Sequence, residues 1–126
     1  MHDIKVLLVD DQRNHLQMMK RMFERNGCET VTVDSGEEAK FILDWASDFD
    51  AIVTDLKMPW LDGIELCKDT KRQFPSIQIY ALSGNLKLYS PEILSYAGFD
   101  GVFQKPVTFE LIHEMLNAIK AKNQQL

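Results

Sequence analysis

The chain has little of what builds secreted or membrane-spanning proteins. Among 126 residues there are two cysteines, Cys28 and Cys67, standing alone without a paired metal-binding spacing. In a reducing compartment both are expected to be free, partly buried thiols. No apolar run approaches the roughly 20 residues that a bilayer-spanning helix requires. The start of the chain moves straight into a short strand-like run without a signal-peptide pattern. No membrane association and a cytoplasmic location are therefore expected.

Positive charge is also in short supply. Fourteen Lys and Arg against 19 Asp and Glu leave a net charge of −5. Nucleic-acid affinity rests mostly on cations that neutralise phosphates, so direct nucleic-acid contact is not expected. No repeat, low-complexity tract or interdomain linker interrupts the sequence.

What remains is an ordinary globular balance, 45% apolar and 26% charged, in a length that suits one domain over residues 1–126. The polar end, 121–126, reads as a fraying tail or as the start of a linker to a further domain.

Short β-branched or apolar runs recur at 5–9, 30–33, 51–54, 77–82 and 101–104, with longer helix-like segments between them. That alternation predicts a parallel sheet. The first, third and fourth runs are almost wholly apolar, as expected of central strands covered on both faces. Helix starts are marked by Ser35 with Glu38, by Ser90 with Pro91, and by Thr108. Leu16, Met19 and Phe23 share a face of the first helix, and Gly27 is placed to end it. Phe109, Ile112, Leu116 and Ile119 recur with the same period in the last helix. Met18 is expected nearer a partner-facing side, with Met19 and Met22 mostly in the core. His2, His15 and His113 lie away from the strand ends and read as structural or solvated.

In an open parallel sheet, ligands bind beyond the carboxyl ends of the strands. The first strand ends in Asp10 and Asp11, the third in Asp55, the fourth in Ser83 and the fifth in Lys105. Singly, each is an unremarkable turn former, helix cap or solvated charge. Jointly, they put three carboxylates, a hydroxyl and an ammonium on one rim. Three neighbouring carboxylates repel one another unless a cation lies among them. Mg²⁺ suits such a site because it keeps several waters and shares its shell with phosphate. With Mg²⁺ and Lys105 the formal charges sum to zero, leaving a site able to receive an anion. A carboxylate can itself be the nucleophile and form an acyl phosphate.

"LLVDD" (7–11), "IVTDLKMPWLDG" (52–63), "ALSG" (81–84) and "FQKP" (103–106) resemble, in order and spacing, the receiver domain of bacterial two-component response regulators of the CheY-like superfamily. The similarity covers essentially the whole chain. It implies an α/β, flavodoxin-like (βα)5 fold: a doubly wound, five-stranded parallel sheet in the order 2-1-3-4-5 inside a three-layer sandwich. It implies that Asp55 accepts a phosphoryl group from a histidine kinase or histidine phosphotransfer protein. Asp11, Asp55 and the Lys57 carbonyl would hold Mg²⁺ directly, and Asp10 mainly through metal-bound water. Ser83 and Lys105 would contact the phosphoryl group, and the peptide bond from Lys105 to Pro106 would be cis. The module would catalyse only its own phosphorylation and slow dephosphorylation. It would signal to a downstream protein, relay the group onward, or serve an output domain beyond this sequence.

Two positions depart from the commoner pattern. Val102 stands where many members carry an aromatic switch, which favours a relay or a purely contact-based output, and Phe103 is expected on the opposite side of its strand. Lys57 follows the acceptor by two positions, where smaller or uncharged groups are frequent. Its ammonium is either solvated or leans over the phosphoryl group with Asn85 opposite. Trp60, in the same loop, is either a partner contact or a cover for the base of the third helix.

Two other classes compete. A small Mg²⁺-dependent phosphatase with an aspartyl nucleophile usually carries Asp-x-Asp after its first strand and a cap over its substrate; here the pair is adjacent and the chain is short. A flavin-binding module of similar topology needs a phosphate-cradling Ser, Thr and Gly cluster in the first loop, which is missing.

Overall fold

The computed structural model describes residues 3–124. Five strands, β1 (Lys5–Val9), β2 (Glu29–Val33), β3 (Ala51–Asp55), β4 (Gln78–Ser83) and β5 (Gly101–Gln104), alternate with five helices. The helices are α1 (Arg13–Arg25), α2 (Gly36–Trp45), α3 (Gly63–Gln73), α4 (Pro91–Ala97) and α5 (Phe109–Asn123). All strands pair in parallel in the order β2-β1-β3-β4-β5. The expected fold class and strand order hold, with boundaries shifted by one residue at β2, β3 and β4.

Side-chain alternation along the central strands divides the core into two layers. Val6, Leu8, Val53, Tyr80 and Leu82 face α1 and α5, meeting Leu16, Met19, Phe23, Ile112, Leu116 and Ile119. Leu7, Val9, Ile52 and Ile79 face the other way, toward Ala39 and Leu43 of α2, Leu66 and Cys67 of α3, and Ala97 of α4. Near-continuous apolar sequence in β1, β3 and β4 is thus the signature of strands buried on both faces.

Local signals act where they were expected. Ser35, Ser90 and Thr108 accept hydrogen bonds from the backbone N–H groups of Glu38, Ile93 and Leu111, and Pro91 begins α4. Gly27 takes φ 83°, beyond the end of α1. Cys28 and Cys67 are free, and both are buried, Cys67 completely. Val102 packs on the α4 side against Ala81 and Leu94, whereas Phe103 lies across β5 beside Tyr80, with ring centroids 6.1 Å apart.

Other readings are changed or decided here. Phe109 has the right helical period but sits in the first turn of α5 with 54% of its surface exposed, so it is not core. Trp60 is 92% exposed and therefore does not cover the base of α3. Helix α5 extends through Asn123, taking in the first half of the segment expected as a tail. Met18 is exposed while Met19 and Met22 are buried, and His113 is exposed on α5. His2 lies outside the described residues.

Candidate functional site

A parallel sheet directs every strand's carboxyl end to one rim, and the loops leaving that rim open in a cleft of about 630 Å³. Asp11, Asp55, Lys57, Ser83, Asn85 and Lys105 all line it. Carboxylate oxygens of Asp10, Asp11 and Asp55 come within 4.8 Å of one another. The structure therefore brings together every residue that strand-end logic singled out.

Asp55 ends β3, in the middle of the sheet, where its backbone has little freedom. Leu56 N–H donates to the Leu82 carbonyl (3.1 Å), and Thr54 Oγ1 donates to the Asp55 carbonyl (2.9 Å). Gly63 is packed so closely beneath this turn that a Cβ there would lie 2.4 Å from the Asp55 carbonyl oxygen. The Asp55 side chain retains 11% of its accessible surface. Its Oδ1 accepts from Lys57 N–H at 3.4 Å and its Oδ2 from Lys105 Nζ at 3.0 Å.

Asp10 and Asp11 are adjacent but differ in situation. Asp10 is 1% exposed, and the protein already engages both its oxygens. Oδ1 accepts from Gln12 N–H at 2.9 Å; Oδ2 meets His15 Nδ1 and lies 3.9 Å from Lys105 Nζ. Asp11 is exposed and opens onto the cleft. Asp11 and Asp55 are the accessible donors, and Asp10 is an inner charge behind them. This contact corrects the expectation for His15, which is neither solvated nor remote: the first turn of α1 folds its ring back onto Asp10.

Opposite the carboxylates, Ser83 is buried at the end of β4, and its Oγ accepts from Asn85 N–H at 3.1 Å. Lys105 N–H donates to the Ser83 carbonyl at 2.8 Å, locking the ends of β4 and β5 together. The bond from Lys105 to Pro106 is cis. Tyr89 also borders the cleft; burial first, then the charges of Asp55 and Asp62, pushes its phenol pKa upward. The Lys57 side chain is exposed and lines the cleft together with Asn85. In the same loop Trp60 adopts φ 69°, an uncommon conformation for a bulky residue.

This donor set fits a hard divalent ion. Clustered carboxylates repel one another unless a cation offsets them, and oxygen is the ligand that Mg²⁺ takes. Lys105 supplies only one positive charge to the three carboxylates.

The family model for the response regulator receiver domain matches residues 6–117. PhoP, the alkaline phosphatase synthesis transcriptional regulatory protein of Bacillus subtilis, is 28% identical over 120 residues, 95% of this chain and 50% of PhoP. The chain thus spans about half the length of that relative. The crystal structure of a response regulator receiver domain protein from Clostridium thermocellum superposes with a TM-score of 0.88 at 29% identity, covering 98% of this chain and 99% of that one. TrrA of Thermotoga maritima, solved in complex with Mg(2+)-BeF, has the same fold, with a TM-score of 0.83 at 24% identity over 92% of this chain and 98% of its own.

Proposed function

The chain belongs to the response regulator receiver family, the phosphoacceptor modules of two-component signalling, and on that premise we propose that Asp55 is its phosphoacceptor and that the reaction depends on Mg²⁺. The observation carrying this assignment is the ion pair of Lys105 with Asp55 inside a cluster of three carboxylates at the middle of the rim.

Asp11, Asp55 and the Lys57 carbonyl would hold the ion, with Asp10 acting through its water shell because it is buried behind them. When bound, Mg²⁺ supplies the positive charge that draws phosphoryl oxygens toward the carboxylates. An Asp55 carboxylate oxygen attacks phosphorus in line; an O–P bond forms, the P–N bond of a phosphohistidine breaks, and its electron pair leaves with the imidazole. Ser83 Oγ–H donates to one phosphoryl oxygen while Lys105 neutralises another. Water later attacks the acyl phosphate, the bond from Asp55 oxygen to phosphorus breaks, and inorganic phosphate leaves with the carboxylate restored, so the module catalyses only its own phosphorylation and dephosphorylation.

The donor is a histidine kinase or histidine phosphotransfer protein, as family membership supports. The product acts on a downstream protein or on an output domain outside residues 1–126, which we propose form one receiver domain. No helix among the described residues is long and apolar enough to cross a membrane. A cytoplasmic site of action suits a module that meets such kinases. The aspartyl-nucleophile phosphatase is not favoured, since the whole matched length follows the receiver pattern.

Incubation with Mg²⁺ and phosphoramidate, followed by intact-mass measurement, tests the assignment. The parent gains one phosphoryl group; Asp55→Asn does not, and neither does the parent if Mg²⁺ is chelated first. An adduct of equal yield on Asp55→Asn would move the acceptor elsewhere.

A further inference from the structure

The turn that follows Ser83 is held from outside its own strand. Gln104 pairs directly across from Ser83 in the β4–β5 ladder. Its side chain reaches past the end of β4, where Nε2 donates to the Gly84 carbonyl at 2.7 Å and Oε1 accepts from Leu86 N–H at 3.2 Å. Those partners fix which way the amide faces, because a carbonyl needs a donor and an N–H needs an acceptor. Residues 84–86 are thereby gripped at both ends, with Asn85 between.

The grip answers a local need. Leu86–Leu88 forms a short 3-10 turn whose preceding residue, Asn85, makes no side-chain cap. Leu86 N–H is one of the donors such a turn leaves unsatisfied, and the cap comes instead from β5. The consequence extends to the cleft. Asn85 N–H is the donor to Ser83 Oγ, and Ser83 and Asn85 both line the cleft that Asp55 lines. Lys105 is the residue after Gln104, so one dipeptide fixes both the ammonium and the hydroxyl side of the site.

We propose that Gln104 is a positioning residue for phosphoryl chemistry at Asp55: its amide straps the 84–86 turn to the end of β5, so that Ser83 and Lys105 meet the phosphoryl group as one unit. The inference rests on the receiver reading and deepens it. Gln104 touches neither the acceptor nor the carboxylate cluster, so it governs the rate of transfer rather than Mg²⁺ binding.

The test is Gln104→Met, which keeps length and stem while removing both hydrogen bonds. Gln104 is exposed, so the variant folds, and its unfolding midpoint is measured alongside. At saturating phosphoramidate the first-order rate of adduct formation falls roughly three- to tenfold, the equivalent of one or two net hydrogen bonds. Half-saturating Mg²⁺ and phosphoramidate concentrations stay at the parent values, and the Leu86 amide exchanges hydrogen faster while β4 core amides do not. A parent-like rate in Gln104→Met overturns the strap's role, as does an unchanged Leu86 exchange rate. Loss of the adduct from the parent itself, or its persistence in Asp55→Asn, would overturn Asp55 as the acceptor and this inference with it.

Discussion

Lys105 Nζ lies 3.0 Å from Asp55 Oδ2, joining residues 50 positions apart at the ends of strands that are not neighbours in the sheet. Esterification of Asp55 would remove the charge that Lys105 now faces and put a greater one just beyond it. Lys105→Met should therefore slow adduct formation from phosphoramidate by about 10- to 100-fold, the range of a charge-assisted hydrogen bond. The same variant leaves the carboxylates without their internal cation, so Mg²⁺ should raise its unfolding midpoint by more than it raises the parent's. Equal rates in the two proteins would remove Lys105 from the chemistry.

His15 orients the inner carboxylate. Its Nδ1 meets Asp10 Oδ2 while Gln12 N–H holds Oδ1 at 2.9 Å, so Asp10 is fixed from two sides. Groups that orient a metal-binding carboxylate typically change affinity by 10- to 100-fold when removed. Since Asp10 would act through water, the lower end applies: His15→Ala should weaken Mg²⁺ binding by about tenfold in a calorimetric titration. Unchanged affinity would mean that Gln12 N–H alone sets the orientation.

Gly63 is required by space rather than by its backbone angles. Any Cβ at this position meets the Asp55 carbonyl at 2.4 Å and the Leu56 Cα at 3.0 Å, both backbone atoms unable to rotate away. Gly63→Ala should cost about 2–3 kcal/mol in urea unfolding, within the range of overpacked interiors. It should also slow phosphorylation, because the residue displaced is the acceptor itself. A variant as stable as the parent would show that the loop yields without strain.

The sequence carries the rim because a parallel sheet gathers strand ends, so Asp10, Asp11, Asp55, Ser83 and Lys105 could be placed together before any coordinates. Capping by Ser35, Ser90 and Thr108 was equally legible, being decided within four residues. His15 was not, since whether it faces Asp10 depends on the angle at which α1 leaves β1. Gln104 was not singled out, because its partners lie 18 and 20 positions away. Phe109 had the core periodicity, but periodicity says nothing of whether the first turn lies over the sheet. Trp60 could be read either way until its φ of 69° and its exposure were known.

Asp100 is the strongest candidate for the acid-sensitive point of the fold, and it stands apart from the phosphorylation cleft. Its side chain is 14% exposed, and it ties three elements together. Oδ2 accepts from Lys71 Nζ of α3 (2.8 Å) and from Ile79 N–H of β4 (2.7 Å), while Oδ1 meets Lys122 Nζ of α5. Burial pushes its pKa up, but the bonds from Lys122, Lys71 and Ile79 outweigh burial and leave it below the ordinary 3.8. The folded state consequently binds this proton less readily than the unfolded chain does. The stabilisation is fully present above pH 3.8 and fades as pH falls through the depressed folded value. Asp100→Asn should cost about 2 kcal/mol at pH 7, as expected for losing charge-assisted bonds at a largely buried site. Its stability should then change less than the parent's between pH 5 and pH 3. Urea melts across that range decide the matter, and parallel pH profiles for the two proteins would place the acid-sensitive group elsewhere.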